Sequence, residues 1–414
     1  DHDPIKTSSA LHAGDNGLTV LRDPRSAIVV GALLTQFTVI GLLFTTGLFV
    51  KVFEAEFGWS RTIVSTSSSL AFVMMGIYAM AAGPLNDRYG PRLMLGTTSI
   101  LFGLGFVLLS LISAPWQLFA VYAIFISAGL ATHDVVTLSV IARWFEKRRG
   151  QMTGVAKSGT AVGQMCMPPL MAALIVAVGW REAVVILGTA AGIILFAAAM
   201  MMKMPPKTGE QAAGAPQTGT PFAEARRDSV FWRLCAMQLL FFPTLATVPF
   251  HIVAHGMDLG LSQPAAAILL TVIGGSSILG RLNVGTFSDR IGGRRAYVLC
   301  FVPMLAALTA LLLVDWSTAL FGIMLIYGFA HGGLFTVVSP TIAEYFGMRA
   351  HGAIFGVVLF FGTIGGAIGP IVAGWVFDNV GSYFYAFLML ITLIAIALAL
   401  ALSLPSRTQT QEAT

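Results

Sequence analysis

Charge is scarce in this chain. Asp, Glu, Lys and Arg together make up 10% of its 414 residues, while hydrophobic residues make up 56%. Soluble globular proteins carry about 25% charged residues. The shortfall excludes a soluble enzyme, a disordered chain and a nucleic-acid module, and it makes lipid the solvent. Cysteine is nearly absent too. Cys166, Cys235 and Cys300 lie far apart in apolar runs. That spacing gives neither a disulfide framework nor a metal site, and the three read as small buried side chains. The first 25 residues lack an apolar core before a cleavage site, so they do not read as a signal peptide. They begin on Asp rather than Met, which reads as a trimmed start, and are expected to form a cytoplasmic tail.

What the chain has in quantity is long apolar runs. A membrane-spanning helix needs roughly 20 such residues. Twelve runs qualify, at 27–53, 60–82, 93–114, 117–143, 151–178, 182–202, 230–256, 264–286, 296–314, 317–344, 352–377 and 382–404. They are too long, and too poor in period-two alternation, for a β-barrel. The expected fold is an all-α membrane protein of twelve helices in two six-helix halves. Its parts are a tail at 1–25, a first half at 26–204, a linker at 205–228, a second half at 229–404 and a tail at 405–414. The linker is read from its Gly, Pro and small polar residues.

Basic residues orient the helices. With both termini inside, 19 of the 24 Lys and Arg residues fall in inside segments and three outside (Lys51, Arg61, Arg181). The remaining two, Lys157 and Arg281, lie within spans. The high isoelectric point, near 9.2, is thus a topological signal and not affinity for nucleic acid.

An internal repeat is also present. Gly83-Pro-Leu-Asn-Asp87-Arg88-Tyr-Gly90-Pro-Arg92 recurs as Gly285-Thr-Phe-Ser-Asp289-Arg290-Ile-Gly292-Gly-Arg294, at an offset of 202. The same offset carries Gly150, Gly154, Gly163 and Pro168 onto Gly352, Gly356, Gly365 and Pro370. Duplicated halves of this kind place a substrate site near the midplane, between them. In each repeat the Asp is positioned to meet a helix N-terminus or an Arg of a neighbouring helix. Gly83, Asp87, Arg88, Gly90, Asp289, Arg290 and Gly292 therefore form an expected gate at the cytoplasmic side. Gly150, Gly154, Gly159 and Gly163 permit close helix contact, for sliding or for packing alone.

These doubled loops resemble the signature of the major facilitator superfamily, and the resemblance covers nearly the whole chain. A narrower similarity, to the bacterial monocarboxylate transporter and oxalate/formate antiporter families, rests on three segments. They are Glu56-Phe-Gly-Trp-Ser-Arg, Arg143-Trp-Phe-Glu-Lys-Arg-Arg-Gly, and Gly280-Arg281 eight residues before Asp289. The resemblance implies that Arg281 binds a substrate carboxylate. The chain departs from the animal monocarboxylate transporters by having Ser277 one turn before that Arg, where they have Asp, and no Lys near Thr45-Thr46. It departs from the oxalate/formate antiporter by having no Lys or Arg between Leu359 and Val376.

An ionisable residue inside a span is a functional candidate by default. Arg281 breaks the repeat, its mate being Ala79, and a guanidinium matches a carboxylate bidentately. The alternative is a structural ion pair with Asp258 or Asp134. Tyr327, His331 and Phe335 stack at i, i+4 and i+8, suiting a small anion with an apolar tail or plain helix packing. His133 and Asp134 lie at mid-depth. Asp134 is either a proton carrier or the partner of Lys157, and Asp258 either takes up protons or is a solvated helix end. Gln36 and Tyr122 are further candidate cavity groups, and Asn283 is expected to face elsewhere. No enzyme motif and no cofactor or metal site is read.

The expected function is secondary transport of a small monocarboxylate anion with a proton, by alternating access. An exchanger of the oxalate/formate type is the alternative. A carboxylate receptor and a cation-selective drug exporter fit less well. The protein is expected in the bacterial cell inner membrane as a monomer within the lipid bilayer, both termini cytoplasmic.

Overall fold

A computed structural model describes residues 24–206 and 219–406. Residues 1–23 of the expected tail, half of the expected linker (207–218) and the last eight residues lie outside the described part. Among the described residues, twelve helices are long and apolar enough to cross a membrane. They are α1 (Pro24–Leu43), α2 (Arg61–Tyr89), α3 (Pro91–Leu109), α4 (Pro115–Trp144), α5 (Arg149–Val178) and α6 (Trp180–Met201). The second set is α7 (Ser229–Asp258), α8 (Gln263–Ile291), α9 (Gly293–Leu313), α10 (Ala319–Phe346), α11 (His351–Val380) and α12 (Phe384–Leu402). Away from its ends a helix satisfies its backbone donors and acceptors internally, which is what hydrocarbon demands.

The expected loop between the second and third spans proves to be mostly helix. α2 runs through Pro84 to Tyr89, and the chain reverses at Gly90 alone, with φ +84°. Gly292 does the same between α8 and α9, with φ +80°. Hydropathy missed this because the last turn of each helix is polar, while a Gly at positive φ stops the helix. α4 also carries a π-helical turn at Val121–Ile126, and α1 continues as a 3₁₀ turn over Phe44–Leu48.

The fold comprises two pseudo-symmetric six-helix halves. They meet where α2 packs on α11 and α5 on α8. Gly154 lies against the carbonyl of Arg281, and Gly356 against that of Ala79. These are the same contact made twice, 202 residues apart. Arg281 thus stands where a small Ala stands in the other copy. Gly150 of α5 also faces α8, at the carbonyl of Gly285, while Gly159 and Gly163 face α1 at Leu33 and Phe37.

Inter-half hydrogen bonds gather at the end of the bundle where α6 finishes and α7 starts. Asp289 accepts from the first amides of α5, Gly150 N at 2.6 Å and Gln151 N at 2.9 Å. Its mate Asp87 accepts from the amide of Ala353 in α11, and from Arg143 Nη2 at 2.7 Å. Negative charge at a helix N-terminus is favourable. His351, the first residue of α11, is buried between Ser139 of α4 (3.0 Å) and the carbonyl of Ser339 in α10 (3.0 Å). On the same end Thr220 N donates to Phe346 O at 2.8 Å, and Trp144 Nε1 to Lys203 O at 2.6 Å. At the opposite end Glu56 accepts from Trp180 and Arg181, and Phe57 stacks on Trp59 at 4.5 Å.

Candidate substrate and proton site

Three charged side chains converge between the halves. Arg281 is fully buried on α8. Its Nε, Nη1 and Nη2 have no hydrogen-bond partner among the described residues. The expected alternative, an ion pair of Arg281 with Asp258 or Asp134, is not formed at hydrogen-bonding distance. The Cζ of Arg281 lies 5.4 Å over the ring of Phe335. A buried guanidinium with five donors left open is costly unless something fills the place.

Lys157 of α5 is also buried, and its Nζ lies 5.0 Å over the same Phe335 ring. It donates to Asp134 Oδ1 at 2.8 Å and Oδ2 at 3.0 Å. Gln36 of α1 donates to Asp134 Oδ1 at 2.9 Å and to the His133 carbonyl at 2.9 Å. Its Oε1 accepts from Thr160 Oγ1 at 2.9 Å, which fixes the way the amide faces. His133 turns Nδ1 to the Leu130 carbonyl and sets Nε2 3.5 Å from Asp134 Oδ1. With neutral histidines, two cations and one carboxylate leave one net positive charge at the site.

The expected column on α10 is present. His331 sits 5.6 Å from Tyr327 and 5.0 Å from Phe335, with Nδ1 3.3 Å from Ser277 Oγ. The hydroxyl of Tyr327 is already engaged, donating to the Thr244 carbonyl at 2.9 Å. Phe242 of α7 meets Phe335 edge-on at 5.6 Å.

Other sequence candidates fall elsewhere. Tyr122 hydrogen-bonds Thr46 at 2.9 Å. Asp258 is exposed as the last residue of α7. Asn283 faces outward and donates to the Leu279 carbonyl at 2.9 Å. Arg88, exposed, packs on Tyr89 at 5.2 Å.

The role of Lys157 as a second cation beside Arg281 was missed from sequence. Its signal was there: it is a Lys set deep inside a span, and its repeat mate is Leu359. Gln238 was missed likewise. It is the repeat mate of Gln36, buried, with Oε1 lacking a partner among the described residues.

The sequence pattern of the Major Facilitator Superfamily matches residues 32–370, and again 256–414. Monocarboxylate transporter 13 of Bos taurus is 27% identical over 365 residues, covering 87% of this chain and 85% of that protein. The uncharacterized MFS-type transporter YhjX of Escherichia coli (strain K12) is 26% identical over 337 residues, covering 80% and 83%. Among solved structures, the transporter FucP in the outward conformation superposes with a TM-score of 0.70 at 15% identity, covering 92% of this chain and 98% of that one. That likeness speaks for the fold alone. The match over most of the length, with twelve spans and two pseudo-symmetric halves, makes this a multi-pass membrane transporter and no enzyme: the chain belongs to the Major Facilitator Superfamily.

Proposed function

We propose that the protein carries small monocarboxylates, of the lactate or pyruvate type, together with a proton. The observation that carries this is the Arg281 guanidinium, fully buried between the halves with all three nitrogens open. A planar carboxylate fills that fork with two parallel hydrogen bonds. Phe335, Phe242 and the column of His331 and Tyr327 suit a short apolar tail beside it. The net single positive charge suits one monoanion. The resemblance to monocarboxylate transporters supports the same substrate class.

On this reading the first half, 26–204, rocks against the second, 229–404, about the 205–228 linker. The gate is the pair of Asp-capped helices at α5 and α11. The chain sits in the cell inner membrane as a monomer with both termini cytoplasmic, so the clasped end is the cytoplasmic one. Asp134, His133 and Asp258 are the groups available for the proton.

Lys157 is an observation in favour of a second reading, exchange of carboxylates without a proton, since a dianion wants two cations. Asp134 offsets that second cation, and this favours symport. The test is uptake of labelled L-lactate into proteoliposomes with and without an inward proton gradient. Accumulation above equilibrium that a protonophore collapses is expected. Uptake seen only after preloading with a carboxylate, and indifferent to pH, would instead select the exchanger.

A further inference from the structure

We infer that Asp134 and Lys157 form a charge switch, in which Lys157 leaves Asp134 for the incoming carboxylate and Asp134 takes the co-transported proton on Oδ2. The inference rests on the monocarboxylate reading above and gives its proton and its second carboxylate ligand a place.

The geometry is specific. Arg281 belongs to the second half and Lys157 to the first, yet both lie over one ring, Phe335. A carboxylate docked on the open guanidinium beside that ring is within a rotamer change of the Lys157 ammonium. Lysine suits this, being a point charge on a flexible stem with three rotatable donors. Arg281 cannot play the moving part, because its fork is already where the halves meet.

The two oxygens of Asp134 are held unequally. Oδ1 accepts from Gln36 at 2.9 Å as well as from Lys157, and lies 3.5 Å from His133 Nε2. Oδ2 accepts from Lys157, at 3.0 Å. When Lys157 turns to the substrate, Oδ1 keeps the Gln36 amide and Oδ2 is bared. A carboxylate oxygen bared of its cation in this place takes a proton. The ionisable groups around Asp134 are His133 on its own helix, Lys157 on α5 and Arg281 on α8. His331 on α10 faces the two cations in turn.

Charge closes the cycle. The empty site holds one net positive charge. One carboxylate and one proton enter, and the site keeps that charge. A dianion without a proton would reverse it. Lys157 also ties substrate binding to the motion, because a carboxylate shared by Arg281 and Lys157 draws the two halves onto one ligand.

Two variants test the switch, both assayed in proteoliposomes with L-lactate and oxalate as probes. Asp134→Asn raises the site charge by one and removes the proton's place. We expect the pH step to lose its power to accumulate L-lactate, and competition by oxalate relative to lactate to rise by about tenfold. Asp134→Asn combined with Lys157→Gln restores the single charge. We expect its preference to return to lactate while the pH step still drives nothing. The double variant removes both members of the Asp134–Lys157 pair and strands neither, so it carries the test if the single variant does not fold. Wild-type pH-driven accumulation of L-lactate in either variant would overturn the switch. A wild-type protein that moves no monocarboxylate at all would overturn the monocarboxylate reading itself.

Discussion

Arg281 and Lys157 are not interchangeable, and the difference is measurable one residue at a time. The guanidinium is open and waiting, whereas the ammonium is already satisfied by Asp134. On the proposed reading Arg281→Ala therefore removes the carboxylate anchor without orphaning a partner. Truncating one member of a buried charge pair costs about 2–5 kcal/mol of binding, so lactate affinity should fall by more than tenfold while the protein stays monodisperse in detergent. Arg281→Lys should fare little better, since a point charge cannot replace the fork. Wild-type uptake by Arg281→Ala would end the anchoring role. Lys157→Ala should behave otherwise. It strands a buried carboxylate, at about 3–5 kcal/mol, and the expected readout is a lowered melting temperature. Adding Asp134→Asn should restore most of that stability. Tyr327→Phe separates packing from binding: its hydroxyl serves the Thr244 carbonyl, so we expect a loss of about 1 kcal/mol in stability and near wild-type lactate affinity.

At the scale of helices, the contacts that position the site are also those that close one end. Gly154 admits the Arg281 carbonyl and Gly356 admits that of Ala79. A methyl group at residue 154 has no room against this backbone, so Gly154→Ala should displace α8, move Arg281 and weaken lactate binding. Gly356→Ala should disturb the same end while leaving Arg281 in place, and binding should survive it better. Asp289 caps α5 across the interface, and a cap is worth about 1 kcal/mol. Asp289→Ala should shift the population of the closed end about fivefold. Spin labels at Lys203→Cys and Ser403→Cys, one on each half, should then report a longer distance component. Much of this was legible in the sequence. Twelve spans follow from hydropathy, the duplicated motif follows from its offset, and the capping role follows from an Asp set near helix starts. The one-residue turns at Gly90 and Gly292 were hidden because polar helix ends look like loops. The meeting of Lys157 with Arg281 was hidden because it depends on how two halves pack, which spacing along one chain does not encode. The π-helical turn of α4 has no signal in side-chain periodicity at all.

For the whole molecule, the deciding quantity is the net charge that crosses with each turnover. Moving one elementary charge through the membrane potential is worth about 2.3 kcal/mol per 100 mV. A carboxylate carried alone into a cell with a negative interior works against that term. A carboxylate with one proton does not. On the proposed cycle the site keeps its single positive charge whether empty or loaded with both, so each limb feels the potential equally. Net lactate uptake into proteoliposomes should therefore respond to a pH step and be indifferent to a potassium diffusion potential set with valinomycin. A carrier moving a lone monoanion would slow as the inside becomes negative. An electroneutral swap of like-charged acids would ignore both gradients but stop without internal substrate. The three outcomes differ in two independent measurements, and only symport through Asp134 also predicts that Asp134→Asn converts a pH-driven carrier into one that merely equilibrates its substrate.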